Sequence, residues 1–343
     1  MSVVPNHGQF EAWASHHLPD TVQVQQGVWA VPLPLAGDQY VRHTYTYLVV
    51  DEAGSVHVID PGWDTADNRS RLATSLGQIG KRLSDVRTVV STHRHPDHTG
   101  LAPWIREVSG APLLMHSAEA EAAKWEASVS MAFGFVRRLR SWGASWPDRA
   151  KLSRQLWRER RLGDAVGVRA DAAVEHDEVL DIPGWRLRVV HTPGHTEGSI
   201  CLYDETTRSL FSGDTLLPMV HPGIGLSGAA PSSANPLRRY LGSLASLARL
   251  DVDMVHPGHG YSFTGLNERL DETIGHHRRR SEEVRSILAS QPGISVWQVA
   301  ERVHWTAGWA NLSGYMRLSA VAQTVMHIDY LRGESADEGS TRN

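Results

Sequence analysis

Three histidines and one aspartate lie within the six residues from His93 to His98. His93 and His95 follow a short apolar run over 86–92 that predicts a β-strand, so one loop can direct both imidazoles at a single metal ion. Asp97 and His98 can face a second ion from the other side. Imidazole and carboxylate groups are ligands for zinc, and also for manganese and iron. By itself, the run could also be no more than a polar loop.

Three further segments repeat this pattern, because each ends a predicted strand in a turn that presents one metal-binding side chain. His195 lies in the sequence TPGHTEG, Asp214 in SGDT and His259 in PGHG. Ligands at the ends of neighbouring strands converge along one edge of a sheet. The four segments together supply seven candidate ligands, so the sequence predicts a metal site rather than a polar loop.

The elements that must position these residues follow from the periodicity of the apolar side chains. Helices are predicted at 68–80, 101–109 and 236–250. Strands dominate each half of this region and helices fall between some of them, so we expect an α/β fold with two sheets covered by outer helices. The predicted strands are 27–35, 44–50, 55–60, 86–92, 112–116, 185–190, 199–203, 209–212 and 253–256.

Residues 118–162 differ from this strand-rich body. They lack β-branched runs, and between Lys124 and Arg161 lie ten Lys or Arg residues against three acidic ones. Several tryptophans and phenylalanines accompany these charges, and the segment predicts a helical insertion. One interpretation is a helical hairpin whose aromatic side chains pack on the body. The other, which is compatible with it, is a lid whose cations meet an anionic substrate.

The last quarter of the chain is helical in pattern and predicts an extension of the body. We place the catalytic domain at residues 1–265 and the helical C-terminal extension at 266–332. Residues 333–343 are rich in Gly, Ser, Glu and Asp and predict a flexible tail.

Bulk composition is that of an ordinary globular protein. The 343 residues suffice for one large domain or two, and the formal charge of −4 argues against a dedicated nucleic-acid or membrane-surface protein. The single cysteine, Cys201, is predicted to be buried and suits a reducing compartment. No signal peptide is recognisable and no stretch reaches about 18 apolar residues, so we expect a cytoplasmic protein without a membrane span.

The motifs HRHPDH, TPGHTEG, SGDT and PGHG resemble the metal-binding motifs of the metallo-β-lactamase superfamily, in the branch similar to glyoxalase II. The resemblance covers residues 25–265 and implies an αββα sandwich. Asp60, in the sequence VIDPG, also resembles a family motif and would orient a ligand histidine without touching metal. The resemblance implies that His93, His95 and His195 hold one metal ion, that Asp97, His98 and His259 hold another, and that Asp214 bridges both.

A site of this kind predicts hydrolysis. Two divalent metal ions, expected to be zinc with iron or manganese as alternatives, can share a bridging hydroxide at neutral pH. That hydroxide would attack an electrophilic carbonyl, and Asp97 could act as a proton shuttle as well as a ligand. The glyoxalase-like spacing favours an ester, thioester or lactone bond in a small molecule, and the basic insertion suits a substrate with an anionic group.

Two other functions fit parts of the sequence. The C-terminal helices resemble the winged-helix tail of β-lactamase-like endoribonucleases, and the basic run HHRRR at 276–280 could contact phosphates. The acidic net charge and the lack of an aromatic stacking array argue against nucleic acid, and Glu282 and Glu283 could pair with the run. A metal-binding scaffold without catalysis would be expected to have lost ligands, and here none is missing. The C-terminal helices are also a candidate surface for a homodimer.

The remaining histidines are not predicted as ligands. His191 and His256 precede the Pro-Gly turns of their segments, whereas the family pattern places the ligand after Pro-Gly. We therefore interpret both as residues at strand ends that are either structural or support a ligand without binding metal. His221 is a candidate pocket residue, and the others without a ligand context are His116, His276 and His277.

Overall fold

A computed structural model describes residues 6–35, 41–119, 138–160, 168–225 and 234–340 of the chain. The strands are β1 (Val22–Gln25), β2 (Val28–Pro34), β3 (His43–Val50), β4 (Val56–Ile59), β5 (Val86–Val90), β6 (Leu113–His116), β7 (Ala172–Val174), β8 (Leu187–His191), β9 (Ile200–Asp204), β10 (Ser209–Gly213) and β11 (Met254–Pro257). The α-helices are α1 (His7–Ala14), α2 (Ala66–Gln78), α3 (Pro96–Thr99), α4 (Ala102–Ser109), α5 (Trp146–Arg160), α6 (Pro236–Leu247), α7 (Leu266–Ser290), α8 (Val296–Arg302) and α9 (Gly314–Ser340).

In this described part of the chain, the strands form two mixed sheets. The first has seven strands in the order β1-β2-β3-β4-β5-β6-β7, and the second has four in the order β11-β10-β9-β8. Neighbours are antiparallel from β1 to β4 and parallel from β4 to β7. In the second sheet β10 is parallel to β11 and antiparallel to β9, which is antiparallel to β8. The strands β8, β10 and β11 therefore end on the same edge.

The central core lies between the two sheets. Along β9, Ile200 and Leu202 belong to this core, whereas Cys201 and Tyr203 belong to the cluster on the outer face. Successive side chains of a strand point to opposite faces, and here both faces are covered. This explains why the strand is a continuous apolar run in the sequence. The prediction that Cys201 is buried is confirmed, since it is 0% exposed.

Helices cover the outer face of each sheet. Helices α2 and α4 bury Leu72 and Ile105 against the first sheet, whereas α6 and α7 bury Leu244 and Leu270 against the second. Helix α6 begins where the sequence requires it, because Asn235 accepts a hydrogen bond from the backbone N–H of Arg238 and Pro236 follows in the first turn. The layers are helix, sheet, sheet, helix, which confirms the predicted fold class.

The described part of the predicted insertion packs against the C-terminal helices. Leu152 of α5 shares an apolar cluster with Trp297 of α8 and Val321 of α9. The backbone N–H of Trp297 also donates to the carbonyl of Trp142 at 2.8 Å. Several apolar side chains between residues 138 and 156 are therefore buried against another part of the chain. Residues 120–137 and 161–162 of the insertion lie outside the described residues, so the lid interpretation stays a prediction.

The C-terminal region departs from the sequence-based expectation at its end. Helix α9 continues to Ser340, although the composition of residues 333–343 predicts a flexible tail. Polar composition indicates that a segment lacks a buried face, but residues such as Glu334 and Ala336 are good helix formers and can extend the backbone hydrogen bonds of a preceding helix. Residues 341–343 of the predicted tail lie outside the described part.

None of the helices described above is both long enough and apolar enough to cross a membrane.

Candidate metal centre

Strand ends from both sheets bring the seven predicted ligands together. The loop after β5, together with α3, carries four of them, and the loops after β8, β10 and β11 carry one each. Their ligand atoms form overlapping sets within which all atoms lie no more than 4.8 Å apart. The first group is His93, His95 and His195, the second group is Asp97, His98 and His259, and a third set of His93, His98 and Asp214 joins them.

The first group consists of three imidazoles with closely spaced nitrogens. Nε2 of His93 lies 2.9 Å from Nδ1 of His95, and Nε2 of His195 lies 3.0 Å from the same Nδ1. His93 and His195 are buried. Three imidazole nitrogens that face one point are a donor set that suits zinc and related transition-metal ions.

The second group adds a carboxylate, and Asp214 lies between the groups. Oδ2 of Asp97 is 3.4 Å from Nε2 of His98 and 3.4 Å from Nε2 of His259. Oδ1 of Asp214 is 3.5 Å and 3.3 Å from the same two nitrogens. Its other oxygen, Oδ2, is 3.7 Å from Nε2 of His195 in the first group. Each oxygen of Asp214 therefore faces a different group, as a bridging ligand requires.

Hydrogen bonds on the outer side fix the tautomers of three of these imidazoles. In each, Nδ1 lies within hydrogen-bonding distance of a carboxylate or carbonyl oxygen, which can only accept, so Nδ1 carries the proton. Each Nε2 of a neutral ring then presents a lone pair to the centre. Such an outer hydrogen bond is usual for metal-binding histidines. The pairs are His98 with Oδ2 of Asp60 at 2.8 Å, His195 with the carbonyl of Gly223 at 2.6 Å, and His259 with the carbonyl of His43 at 2.7 Å.

The two groups differ in their electrostatics. Burial lowers the pKa of His93 well below its usual value and that of His95 to about 3, so these rings are neutral. Burial also opposes a charge on His259, but the carboxylates of Asp214 and Asp97 outweigh it and raise the pKa of His259 to about 10. Two partly buried carboxylates thus give the centre a strong preference for positive charge.

The side chains present fit divalent metal ions. Nε2 of His98 and Oδ1 of Asp214 are buried and make no hydrogen bond within the residues that the structure describes. Such atoms are costly to bury, and a cation would satisfy both. Gly258 leaves the space between them open, since a Cβ there would lie 2.7 Å from Oδ1 of Asp214 and 2.8 Å from Cε1 of His98.

Asp60 lies behind the ligands, where the sequence predicts an orienting carboxylate. Its oxygen Oδ1 accepts the backbone N–H of Thr92 at 2.7 Å, and Oδ2 accepts the hydroxyl of Thr92 at 2.8 Å in addition to Nδ1 of His98. The backbone of Asp60 has a φ of 53°, a left-handed conformation that non-glycine residues adopt only where their surroundings enforce it. Asp60 thereby ties the end of β4 to the ligand loop after β5.

Glu119, which the sequence analysis does not single out, joins the two main ligand loops. Its buried carboxylate accepts the backbone N–H of Gly198 at 2.8 Å and the hydroxyl of Thr196, and its other oxygen lies 3.1 Å from Nε of Arg94. Thr196 and Arg94 each follow directly after a predicted ligand. No local pattern marks Glu119, because the two hydrogen-bond partners are 77 and 79 residues away in the sequence.

The other histidines lie outside these ligand groups. His256 is buried below the edge of the sheet. His191 stacks on His116 with ring centres 3.9 Å apart. His221, the candidate pocket residue, stacks instead on His276 of α7 at 4.0 Å. The structure therefore places His221 against the C-terminal extension.

The chain belongs to the metallo-β-lactamase superfamily. The sequence pattern described as Metallo-beta-lactamase superfamily matches residues 40–259, a range that contains all seven predicted ligands. The chain is accordingly a metallo-hydrolase of that superfamily, with a His/Asp centre that suits divalent metal ions.

The chain is similar over most of its length to relatives of similar length. The chain is 27% identical over 309 residues to the probable metallo-hydrolase YqjP of Bacillus subtilis (strain 168), which covers 89% of this chain and 92% of that protein. A metallo-beta-lactamase family protein from Thermus thermophilus is 28% identical with a TM-score of 0.75, covering 92% of this chain and 96% of that one. A beta-lactamase domain protein from Burkholderia ambifaria is 25% identical with a TM-score of 0.76, covering 96% and 92%. The shared fold therefore extends into the C-terminal helices.

Proposed function

We propose that this protein is a hydrolase with two divalent metal ions that cleaves an ester, thioester or lactone bond in a small molecule. The observation that carries the proposal is the convergence of two ligand groups, with the two oxygens of Asp214 divided between them. The first group would hold one ion, the second group the other, and Asp214 would contact both. Zinc is the proposed metal, and iron or manganese would suit the same donors.

The side chains have separable roles in the proposed reaction. Two metal ions held in this way supply a water molecule of lowered pKa and a Lewis acid for the substrate oxygen. Asp97 is more accessible than Asp214, with 16% of its side chain exposed against 12%. The hydroxyl of Thr44 donates to Oδ2 of Asp97 at 3.2 Å and helps to hold this carboxylate in one orientation. We assign to Asp97 the transfer of a proton to the leaving group.

The choice of a carbonyl substrate has two supports. The spacing of the ligand motifs resembles that of the glyoxalase II branch, whose chemistry is hydrolysis at a carbonyl. An anionic group on the substrate would suit the basic residues of the insertion, of which Arg149, Lys151 and Arg154 lie on α5. The substrate class that follows is a small acyl compound with a negatively charged group.

The C-terminal helices give less support to the alternative, a ribonuclease. His277 is buried, and Arg280 packs over the ring of Trp305 with its Cζ 4.5 Å from the ring centre. Arg280 also lies 3.5 Å from Glu283. Two members of the basic run are thus engaged within the protein. Residues 266–340 are described throughout, and they contain helices and no strand that could serve as a wing.

The test combines metal analysis with a substrate panel. Metal content is measured by mass spectrometry on the purified protein, and hydrolysis is measured for an acyl-thioester, a lactone, a nitrophenyl ester, a β-lactam, a phosphodiester and a short RNA. Asp97→Ala removes the proposed ligand and proton shuttle. His191→Ala is the matched control, because His191 ends a strand near the centre but belongs to none of the ligand groups.

The proposal expects turnover of a carbonyl substrate by the metal-loaded protein, loss of at least about 100-fold in Asp97→Ala, and near-normal turnover in His191→Ala. Turnover confined to RNA or the phosphodiester would replace it with the nuclease function. Equal activity in Asp97→Ala and the unaltered protein would contradict the assigned role of Asp97.

A further inference from the structure

We infer that Arg269, on α7, is a positioning residue for the first ligand group, because its guanidinium holds the loop whose Gly223 carbonyl orients His195. The inference rests on the proposed metal site. It assigns a function to the first helix of the C-terminal extension, which would form part of the metal centre rather than a separate binding module.

The side chain of Arg269 is buried and aimed at the backbone of this loop. Arg269 is 4% exposed. Its Nε donates to the carbonyl of Leu217 at 2.7 Å and its Nη2 to the carbonyl of Val220 at 2.8 Å, while Nη1 donates to Glu272 at 2.8 Å. A guanidinium presents its donors in a rigid planar fork, so two carbonyls held by one fork are fixed relative to each other.

The loop depends on these two hydrogen bonds from Arg269 because it lies in neither a helix nor a strand. It runs from Asp214 to Gly225, its carbonyls have no regular partners, and Pro218 and Pro222 lack a donor. A buried carbonyl without a partner would be costly, and Arg269 satisfies that of the buried Leu217 together with that of the partly buried Val220. The same loop contacts the tight turn after His259, where a Cβ on Gly260 would lie 2.7 Å from Cγ of Pro218.

The far end of the loop sets the geometry of His195. The carbonyl oxygen of Gly223 accepts a hydrogen bond from Nδ1 of His195 at 2.6 Å. The N–H of Gly225 donates to the carbonyl of Gly194 at 2.8 Å. Val220 is three residues before Gly223. Loss of the hydrogen bond between Arg269 and Val220 would therefore allow the Gly223 carbonyl, which fixes the tautomer of His195, to move. The position of the His195 Nε2 lone pair thus depends on a side chain of α7.

Helix α7 is held in place by packing on both sides of Arg269. Leu266 and Leu270, on either side of Arg269, lie in the core of the second sheet. His276 of the same helix stacks on His221 of the loop, and Nη2 of Arg269 lies 3.4 Å from Nδ1 of His221. The helix therefore contacts the loop through Arg269 and again through His276, which stacks on His221.

The test measures metal binding apart from activity. Metal-free protein is titrated with Co²⁺, whose visible absorption reports ligand geometry, in competition with a chelator, so that two binding steps are resolved. The variants are Arg269→Gln and Arg269→Lys. Arg278→Gln is the matched control, because Arg278 lies on the same helix, is exposed, and loses the same charge. Circular dichroism checks that each variant folds, and the lysine variant carries the comparison if the glutamine variant does not.

A double-variant cycle identifies the residue through which Arg269 acts. His195→Ala removes the ligand that the loop would orient, so Arg269→Gln should cause no further loss of Co²⁺ affinity in that background. A residue that only stabilised the fold would give the same loss in both backgrounds.

We expect Arg269→Gln and Arg269→Lys to weaken one binding step by about 10- to 100-fold, as loss of an outer hydrogen bond to a ligand usually does, with the other step and Arg278→Gln unchanged. Retention of both steps by Arg269→Gln, recovery in Arg269→Lys, or an equal loss with and without His195 would overturn the inference and leave the proposed function intact. Failure of the unaltered protein to bind two ions would overturn the proposed function and this inference with it.

Discussion

Oδ2 of Asp60 lies 2.8 Å from Nδ1 of His98, and this buried pair fixes which nitrogen of the histidine faces the candidate metal centre. The side chains of His98 and Asp60 are 0% and 2% exposed, so solvent does not compete for the contact. Both oxygens of Asp60 accept hydrogen bonds, from Thr92 as well as from His98. The carboxylate therefore acts as an acceptor only, and it holds the proton of His98 on Nδ1.

Asp60→Asn tests this relationship with a side chain of the same shape. The amide must turn its NH₂ away from the N–H of Thr92, because two donors would otherwise meet, so the NH₂ faces Nδ1 of His98. That nitrogen would then have to accept, and the proton of His98 would move to Nε2, the atom that faces the centre. We expect metal affinity to fall by about 10- to 100-fold, measured by chelator competition.

Asp64→Asn is the matched control, because Asp64 lies on the same loop and pairs with Arg69 at the surface. It should leave metal affinity unchanged. If Asp60→Asn bound metal as tightly as the unaltered protein, the orienting role of Asp60 would be wrong.

Much of the fold, and the grouping of the seven candidate ligands in space, could be predicted from the sequence, and the reason is local. The ligands from His93 to His98 are neighbours in the chain, and each of the other motifs ends an apolar run that is long enough to identify as a strand. The two faces of β9 are both buried, so its first four residues, from Ile200 to Tyr203, are apolar without interruption. Signals of this kind are contained within a few residues.

Apart from Asp60, which the resemblance to the family supplies, the supports of the site could not be predicted, since their partners are distant in the sequence. Arg269 binds carbonyls that are 49 and 52 residues away, and nothing in the sequence of α7 distinguishes it from the other arginines of that helix. Edge strand β7 has three residues and two of them are alanine, which is too short for an alternating pattern. Contacts of this kind, between residues far apart in the sequence, can be identified only from the folded structure.

Glu119 should be as important for stability as for the arrangement of the ligand loops. Its carboxylate and the guanidinium of Arg94 form a pair with 1% and 5% of the side chains exposed. Removal of one partner from a buried ion pair destabilises a protein by about 3–5 kcal/mol. We therefore expect Glu119→Gln to lower the free energy of unfolding by about that amount, measured by urea denaturation of metal-loaded protein.

The double variant Arg94→Met/Glu119→Gln isolates this charge effect, because the amide oxygen in Glu119→Gln can still accept hydrogen bonds from Gly198 and Thr196. It should recover part of the lost stability, because the buried guanidinium is removed together with the buried carboxylate. If the double variant were less stable than Glu119→Gln by the full effect of Arg94→Met alone, the two residues would not be coupled.

Cys201 should be unreactive in the folded protein. It is fully buried, and burial raises the pKa of its thiol to about 11. The thiolate is the reactive form, so both access and ionisation oppose modification. A chromogenic disulfide reagent should detect no thiol in the native protein and one per chain in denaturant, since Cys201 is the single cysteine. Rapid modification of the native protein would contradict the buried position of Cys201 in the cluster on the outer face of the second sheet.

Two buried histidines of the C-terminal helices should make the protein less stable in acid. Burial, reinforced by the neighbouring His276, lowers the pKa of His277 to about 2. Burial, reinforced by Arg280, lowers the pKa of His327 to about 3. Both side chains regain a pKa near 6.5 when the chain unfolds. Below that pH the unfolded chain binds more protons than the folded one, so the free energy of unfolding is at its full value above pH 6.5 and falls as the pH decreases.

His277→Phe should reduce this dependence because it removes one of the two groups. Each group contributes about 1.4 kcal/mol per pH unit between its folded and unfolded pKa values. The slope of the free energy of unfolding against pH should therefore decrease by about 1.4 kcal/mol per pH unit between roughly pH 6 and 4, which corresponds to one proton fewer taken up on unfolding. The slope is obtained from urea denaturation at several pH values, and the metal centre cancels in the difference because both proteins contain it. His304→Phe, at an exposed site just after α8, is the control for the loss of a histidine. An unchanged slope in His277→Phe would show that His277 is not held neutral in the folded protein.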